Sequence, residues 1–208
     1  VPVLQPGRKT TKTGRLWGYV RDDRPAGVDD PPAVWFAYSP DRKACRPAKH
    51  LADFAGTLQA DGYAGYNALY ADHRIQEAAC WAHVRRKFYE IAKTDPESFA
   101  SEVLERIAAL YAIEADVRGQ LATDRREARQ ARAGPLLPEL KTRLRDTLGA
   151  ISTKSPLAKA IGYTLTRWDA LVRYVDDGLI EIDNNPVERE IRAIALGRKN
   201  YLFAGSDA

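Results

Sequence analysis

Two acidic residues stand where a carboxylate could do chemistry. Asp61 ends the short stretch Gly56-Thr57-Leu58-Gln59-Ala60 and is followed by Gly62. An acid at the carboxyl edge of a buried strand sits where open α/β sheets place their ligands. The same dipeptide is also ordinary turn chemistry, and both readings stand. Glu188 lies in Asp183-Asn184-Asn185-Pro186-Val187-Glu188-Arg189. With Asn185 as cap, Pro186 at the first helical position and Glu188 at the third, this is a capping-box pattern. A first-turn Glu also points out over the helix start, so capping and catalysis conflict only in part. Glu188, Arg192 and Lys199 share one helical face, an acid beside cations that attract phosphate.

Cys80 and His83 form a second constellation, with Cys45 and His50 upstream. The ligand types suit tetrahedral zinc, but the spacing matches no common zinc module. Cys80 and His83 are therefore read as structural, and zinc is not expected. Basic residues make a third group. Arg8, Lys9, Lys12 and Arg15 occur without an acid among them, and Arg85, Arg86, Lys87 and Lys93 stand against Glu90 alone. Charge runs are mostly solvated faces, but two flanking an acidic site would suit a polyanion.

The elements that must position these groups fall into two textures. Up to Cys80 the chain reads as strands and loops. Strands are predicted at Arg15–Arg21 and Ala33–Tyr38, then at Gly56–Gly62 and Ile75–Cys80, with short helices over Ala48–Ala55 and Ala64–Tyr70. This is the pattern of a mixed α/β sheet. From Trp81 to Asp176 the periodicity is helical. One helix is predicted to start at Asp95-Pro96, a charged helix over Asp124–Arg132 to break at Gly134-Pro135, and a helix capped at Ser155-Pro156 to run to Gly178. Leu179–Ile182 reads as a short strand or turn.

The composition excludes other classes. The chain has 208 residues, 45% hydrophobic and 29% charged, with four Trp, ten Tyr and five Phe, enough to build a core rather than a disordered tract. No stretch approaches the roughly 18 uncharged apolar residues of a bilayer helix, so no membrane partner is expected. A net charge of +4 does not by itself announce a nucleic-acid binder. Two cysteines make a poor disulfide framework and fit a reducing cytoplasm. The absence of Met, together with the extended opening Val1-Pro2-Val3-Leu4, leads to the expectation of a fragment.

Several blocks taken together carry a resemblance. They are Lys12-Thr13-Gly14-Arg15-Leu16-Trp17, Leu58-Gln59-Ala60-Asp61-Gly62-Tyr63-Ala64-Gly65-Tyr66-Asn67, Cys80-Trp81-Ala82-His83-Val84-Arg85-Arg86-Lys87-Phe88, Asp183-Asn184-Asn185-Pro186-Val187-Glu188-Arg189 and Gly197-Arg198-Lys199-Asn200-Tyr201-Leu202-Phe203-Ala204-Gly205-Ser206. In this order the chain resembles the catalytic domain of bacterial transposases of insertion-sequence family sixty-six. The resemblance implies a ribonuclease H-like mixed sheet, with residues 1–83 as the first part of the core lacking its first strand. Residues 84–178 would be an all-helical insertion, and 179–208 the return that bears the Glu helix. It implies an Asp–Asp–Glu triad holding two magnesium ions for DNA cleavage and strand transfer.

Carried over, the second Asp falls on Asp61 and the Glu on Glu188. The first Asp falls upstream of Val1, so the chain alone is expected to be inactive. Asp22 and Asp23 match the family's following strand and turn and are not expected to replace it. Glu190 and Ala193 depart from the pattern, where a small residue and a Pro are expected. Arg85, Arg86, Arg192 and Lys199 would contact DNA. The implied partners are transposon ends, target DNA, further copies of the chain and accessory proteins. The alternative reading is an inactive remnant that only binds DNA or a partner protein. Asp61 and Glu188 should approach within roughly 4–8 Å if they share a metal pair.

Overall fold

The computed structural model describes residues 1–4, 7 and 9–197. The first part is built on short strand pairs. β1 (Pro2–Leu4) pairs antiparallel with β2 (Thr11–Thr13), Val3 opposite Lys12. The pairing extends to Gly14, whose N–H donates to Val1 O while Val1 N donates back to Gly14 O, both at 2.8 Å. The chain continues directly into β3 (Arg15–Arg21), which pairs antiparallel with β4 (Ala33–Ser39), Tyr19 opposite Trp35. After α1 (Cys45–His50), β5 (Gly56–Gln59) pairs in parallel with β6 (Ile75–Ala78). A parallel pair needs a crossover, and here it carries the 3-10 segment Ala64–Tyr70. The protein is thus mixed α/β, and among the described residues its strands form three separate two-stranded ladders.

The second part is helical, as its periodicity predicts. It comprises α2 (Trp81–Ala92), α3 (Phe99–Val117), α4 (Ala122–Ala150), α5 (Pro156–Thr166) and α6 (Trp168–Val172), before α7 (Asn185–Gly197). Trp81, Val84 and Phe88 of α2 meet Val103, Ile107 and Leu110 of α3, with Leu140, Leu144, Ile161 and Leu171, in one buried cluster. Ser155 caps α5 as expected, its Oγ accepting from Ala158 N at 3.0 Å. α4 differs from the expected break and runs through Pro135 and Pro138. Each proline removes one helical hydrogen bond and crowds the preceding turn. Buried Ala133, Leu137, Leu140 and Leu144 span that stretch and hold the axis together.

Two further boundaries move. α3 begins at Phe99 rather than at Asp95-Pro96. The helix expected to reach Gly178 divides at Arg167 and ends in the 3-10 turn Arg173–Val175. Gly178 passes so close to the start of α4 that a Cβ there would lie 1.8 Å from Ala122 O. Residues 179–182 form turns, not a strand. No described helix is long and apolar enough to cross a membrane.

The charged stretch of α4 is not a solvated face. Arg125 and Arg129 are buried, with 1% and 0% exposure. Arg129 grips Glu114 of α3 through Nε (2.8 Å) and Nη2 (2.6 Å), and its Nη1 donates to Tyr174 O and Asp177 O. Arg125 donates to Glu181, and Arg118 reaches the same carboxylate at 3.2 Å. This network joins α3 and α4 to the segment that leads into α7. Buried charges persist only when paired and hydrogen-bonded.

Candidate active site

β5 delivers Asp61. Beyond Gln59 the strand ends in a tight turn, in which Asp61 Oδ1 accepts from Tyr63 N at 3.1 Å and Gly62 takes φ 74°. Asp61 therefore makes the turn that its dipeptide with Gly62 suggests. Arg167, between α5 and α6, donates to Gly62 O at 3.1 Å, and its guanidinium occupies the space that a Gly62 side chain would need. The carboxylate itself is exposed.

α7 delivers Glu188, and the segment before it is tied to the strand part. Gln59 Nε2 donates to Glu181 O at 2.6 Å and to Ala79 O at 3.3 Å. Trp81 N donates to Ile182 O at 3.1 Å, and Asn184 N to Cys80 Sγ at 3.5 Å. Tyr111 Oη donates to Asp183 Oδ2 at 2.7 Å. The side chain two residues before Asp61 thus holds the backbone seven residues before Glu188.

The capping box does not form. The first helical bond of α7 runs from Glu188 N to Asn184 O at 3.4 Å. The Asn185 N–H goes to Asp183 Oδ1 at 3.0 Å, and its side chain to Asp183 Oδ2 at 2.8 Å. Asp183, buried, does the local work expected of Glu188. The Glu188 carboxylate is left facing His83, with Nε2 3.7 Å from Oε1. Gly18 of β3 sets the height of α7, since a Cβ there would lie 3.1 Å from Ile191 Cγ1.

Asp61 and Glu188 open onto one cleft of about 1000 Å³. Its walls are the consecutive runs Arg15–Asp23 and Gly56–Asp61, with α7 contributing Pro186, Glu188 and Ile191. Asp22 and Asp23 also reach it, but both are engaged. Arg24 donates to the two Asp22 oxygens at 2.7 and 2.8 Å and holds that carboxyl below its ordinary range. Arg21 binds Asp23 at 2.7 Å.

Among the described residues the other predicted groups do not line this cleft themselves, although His83 faces Glu188. Arg85, Arg86 and Arg192 are exposed and do not line it, and Lys199 is outside the described residues. The cations that do line it are Arg15, Arg21 and Arg42. Cys80 is buried, and burial pushes its thiol up to about 11. His50 is committed elsewhere, its Nδ1 3.0 Å from Tyr19 Oη and its ring edge-on to Trp17, Tyr19 and Trp35. Sequence reasoning missed this aromatic wall, which Tyr63 and Tyr66 extend. Trp17 and Tyr19 alternate along β3 and were its available signal.

Magnesium takes hard oxygen donors, which Asp61 and Glu188 are. Among the described residues no three His, Cys, Asp or Glu side chains gather as a metal-binding group. The described chain therefore offers two carboxylates of the right type and not a complete ligand set.

Comparison with known proteins agrees with the order of the motifs. A family model described as the IS66 family of transposases matches residues 1–208. Two uncharacterized proteins of Sinorhizobium fredii (strain NBRC 101917 / NGR234), y4jD and y4qI, are 46% and 42% identical to the chain. The matches cover 99% and 100% of the chain but 42% and 40% of those proteins. A third from the same strain, y4hP, is 36% identical. No solved structure matches. The chain spans about two fifths of the length of these relatives and belongs to the IS66 family of transposases.

Proposed function

We propose that the chain is the larger part of a transposase catalytic core that cleaves DNA and transfers strands, with Asp61 and Glu188 as two of its metal-binding carboxylates. The observation that carries this reading is the bond from Gln59 to Glu181. It ties the two acid-bearing segments together across the whole helical insertion, so that both acids open onto one cleft. Simple capping would not need that arrangement, and Glu188 does no capping here. Magnesium held by these acids would act as a Lewis acid on the scissile phosphate and activate the attacking oxygen. The residues of this chain orient the ligands. The Asp61 turn is anchored by Arg167, and Glu188 is placed by the Asp183 cap and Gly18.

The cleft offers a place for a further strand. β3 has a neighbour only in β4, and β5 only in β6, among the described strands. The cleft between β3 and β5 is lined by consecutive residues of both, as two facing strand edges would line it. The β1–β2 register puts Val1 beside Gly14. A strand continuing upstream of Val1 would run antiparallel along β3 into this cleft. That strand would complete a ribonuclease H-like sheet and carry the third acid.

The test uses a form of the protein extended upstream of Val1 toward the length of its relatives. Asp61→Asn and Glu188→Gln should each reduce magnesium-dependent cleavage at a transposon end by more than about a hundredfold, beyond the usual effect of changes outside the ligand shell. DNA binding should persist. Cleavage that survives either substitution would overturn the assignment.

A further inference from the structure

A second, smaller cavity of about 350 Å³ lies beside the cleft, and its lining is dominated by arginines. Arg24 comes from the turn after β3, Arg118 from the junction of α3 and α4, and Arg189 from α7, next to Glu188. Asp22, Pro25 and Gly119 complete it. Asp22 also borders the larger cleft, so the two spaces adjoin. We propose that Arg24, Arg118 and Arg189 form a subsite for a backbone phosphate of DNA, seating the duplex beside the Asp61–Glu188 cleft. The inference rests on the DNA-directed reading given above.

The geometry fits a phosphodiester in three respects. First, the site is preorganised. Gly119 N donates to Pro25 O at 2.8 Å, fastening the insertion to the β3 turn, with Gly119 at φ 80°. Arg24 is fixed by its two bonds to Asp22, which leaves the rest of its fork available. Second, charge remains for an anion. Asp22 is matched by Arg24, and Glu181 by Arg118 and buried Arg125. Glu190 acts on Arg24 at longer range. Arg189 acts on Asp22 only at longer range and has no hydrogen bond or ion pair among the described residues. Third, guanidinium groups suit phosphate oxygens, which they bind bidentately. Arg24 and Arg118 are more than half exposed, so a rigid duplex can reach them. The arginines come from the strand part, the insertion and α7, so a DNA backbone seated there would touch all three.

The experiment is metal-free binding of duplex DNA to the chain across a salt series. Phosphate contacts release counterions, and log affinity falls with log salt by about 0.9 per phosphate neutralised. Arg118→Gln with Arg189→Gln should reduce that slope by about one and weaken all sequences alike. Thermal melting checks folding, and Arg189→Gln alone keeps the test valid if the double variant is unstable. Inorganic phosphate separates a free anion from a DNA backbone. Phosphate binding that the substitutions abolish, with the DNA slope intact, would make the cavity a small-anion site and overturn the proposal. An intact slope without phosphate binding overturns it as well. A wild-type chain with no DNA affinity would overturn the proposed function too, whereas loss of the Asp61 effect on cleavage would leave the arginine subsite standing.

Discussion

The helical part and the strand part solve opposite problems. The helical part is built on a large core, in which Trp81, Val84, Phe88, Val103, Ile107, Leu144 and Ile161 are fully buried and which Ala78, Ala79, Ile180 and Ile182 join from its two ends. The strand part has a small cluster, Leu51, Leu69 and Ile75, beside a cleft of about 1000 Å³ between β3 and β5. Trp35 and Phe54, which line that cleft, are 50% and 38% exposed. The difference teaches where each region's stability resides. The helical part is closely packed, while the strand part is organised around an open cleft. The buried Glu114–Arg129 pair and the Arg125–Glu181 bond tie the helical part to the segment that leads into α7.

The sharpest way to break this contrast is in the two cores. Phe88→Ala should lower unfolding free energy by about 3–5 kcal/mol, whereas Leu69→Ala, beside the open cleft, should fall near the ~2 kcal/mol floor for such truncations. Denaturant unfolding of both variants measures the difference, and equal losses would mean that the strand part is as well packed as the insertion.

Next in size is the ionic link. Arg129→Met leaves buried Glu114 with only the longer 3.5 Å contact from Arg125 and should cost about 3 kcal/mol, the low end of the range when one partner of a buried pair is removed. Adding Glu114→Leu should recover part of that loss in the same unfolding assay. Recovery will be incomplete, because the carbonyls of Tyr174 and Asp177 still lose their donor.

The smallest effect is electrostatic and lies at the surface. Arg46 hydrogen-bonds Asp41 in the strand part and holds it down at about 2. A depressed carboxyl stabilises the fold above its ordinary value near 3.9 and loses that contribution as pH falls toward 2. Acid unfolding of wild type and Arg46→Gln should therefore differ above pH ~4 and converge near 2. Glu102 behaves alike in the insertion, held down first by Arg143 and then by Arg106. High salt should shrink the difference.

Much of this was legible in the sequence because local signals and tertiary demands agreed. β3 and β4 were visible as aromatic and β-branched runs, and the insertion as helical stripes. Where they disagreed, packing won. Gly134-Pro135 argued for a break in α4, yet buried Ala133 before it and Leu137, Leu140 and Leu144 after it hold one helix. Asp124–Arg132 read as a charged helix with no buried role, because spacing cannot show that Glu114 and Glu181, distant in sequence, neutralise Arg125 and Arg129. Asp61 and Glu188 could be singled out as acids beside turn and cap signals. That they share a cleft depends on Gln59 meeting Glu181, a contact no local pattern encodes. The cations lining the cleft came from β3 and its neighbourhood rather than from Arg85, Arg86 and Arg192, because charge runs do not report which face a fold turns toward a site.

The most direct test of the central claim is amide hydrogen exchange along β3 and β5, compared between this chain and the form extended upstream of Val1. If the cleft receives the strand that completes the catalytic sheet, amides within Arg15–Arg21 and Gly56–Gln59 that lack partners here should become strongly protected in the extended form, while α3 and α5 exchange as before. Unchanged exchange along both strands would contradict the claim and leave the cleft as an open groove with no third acid brought to it.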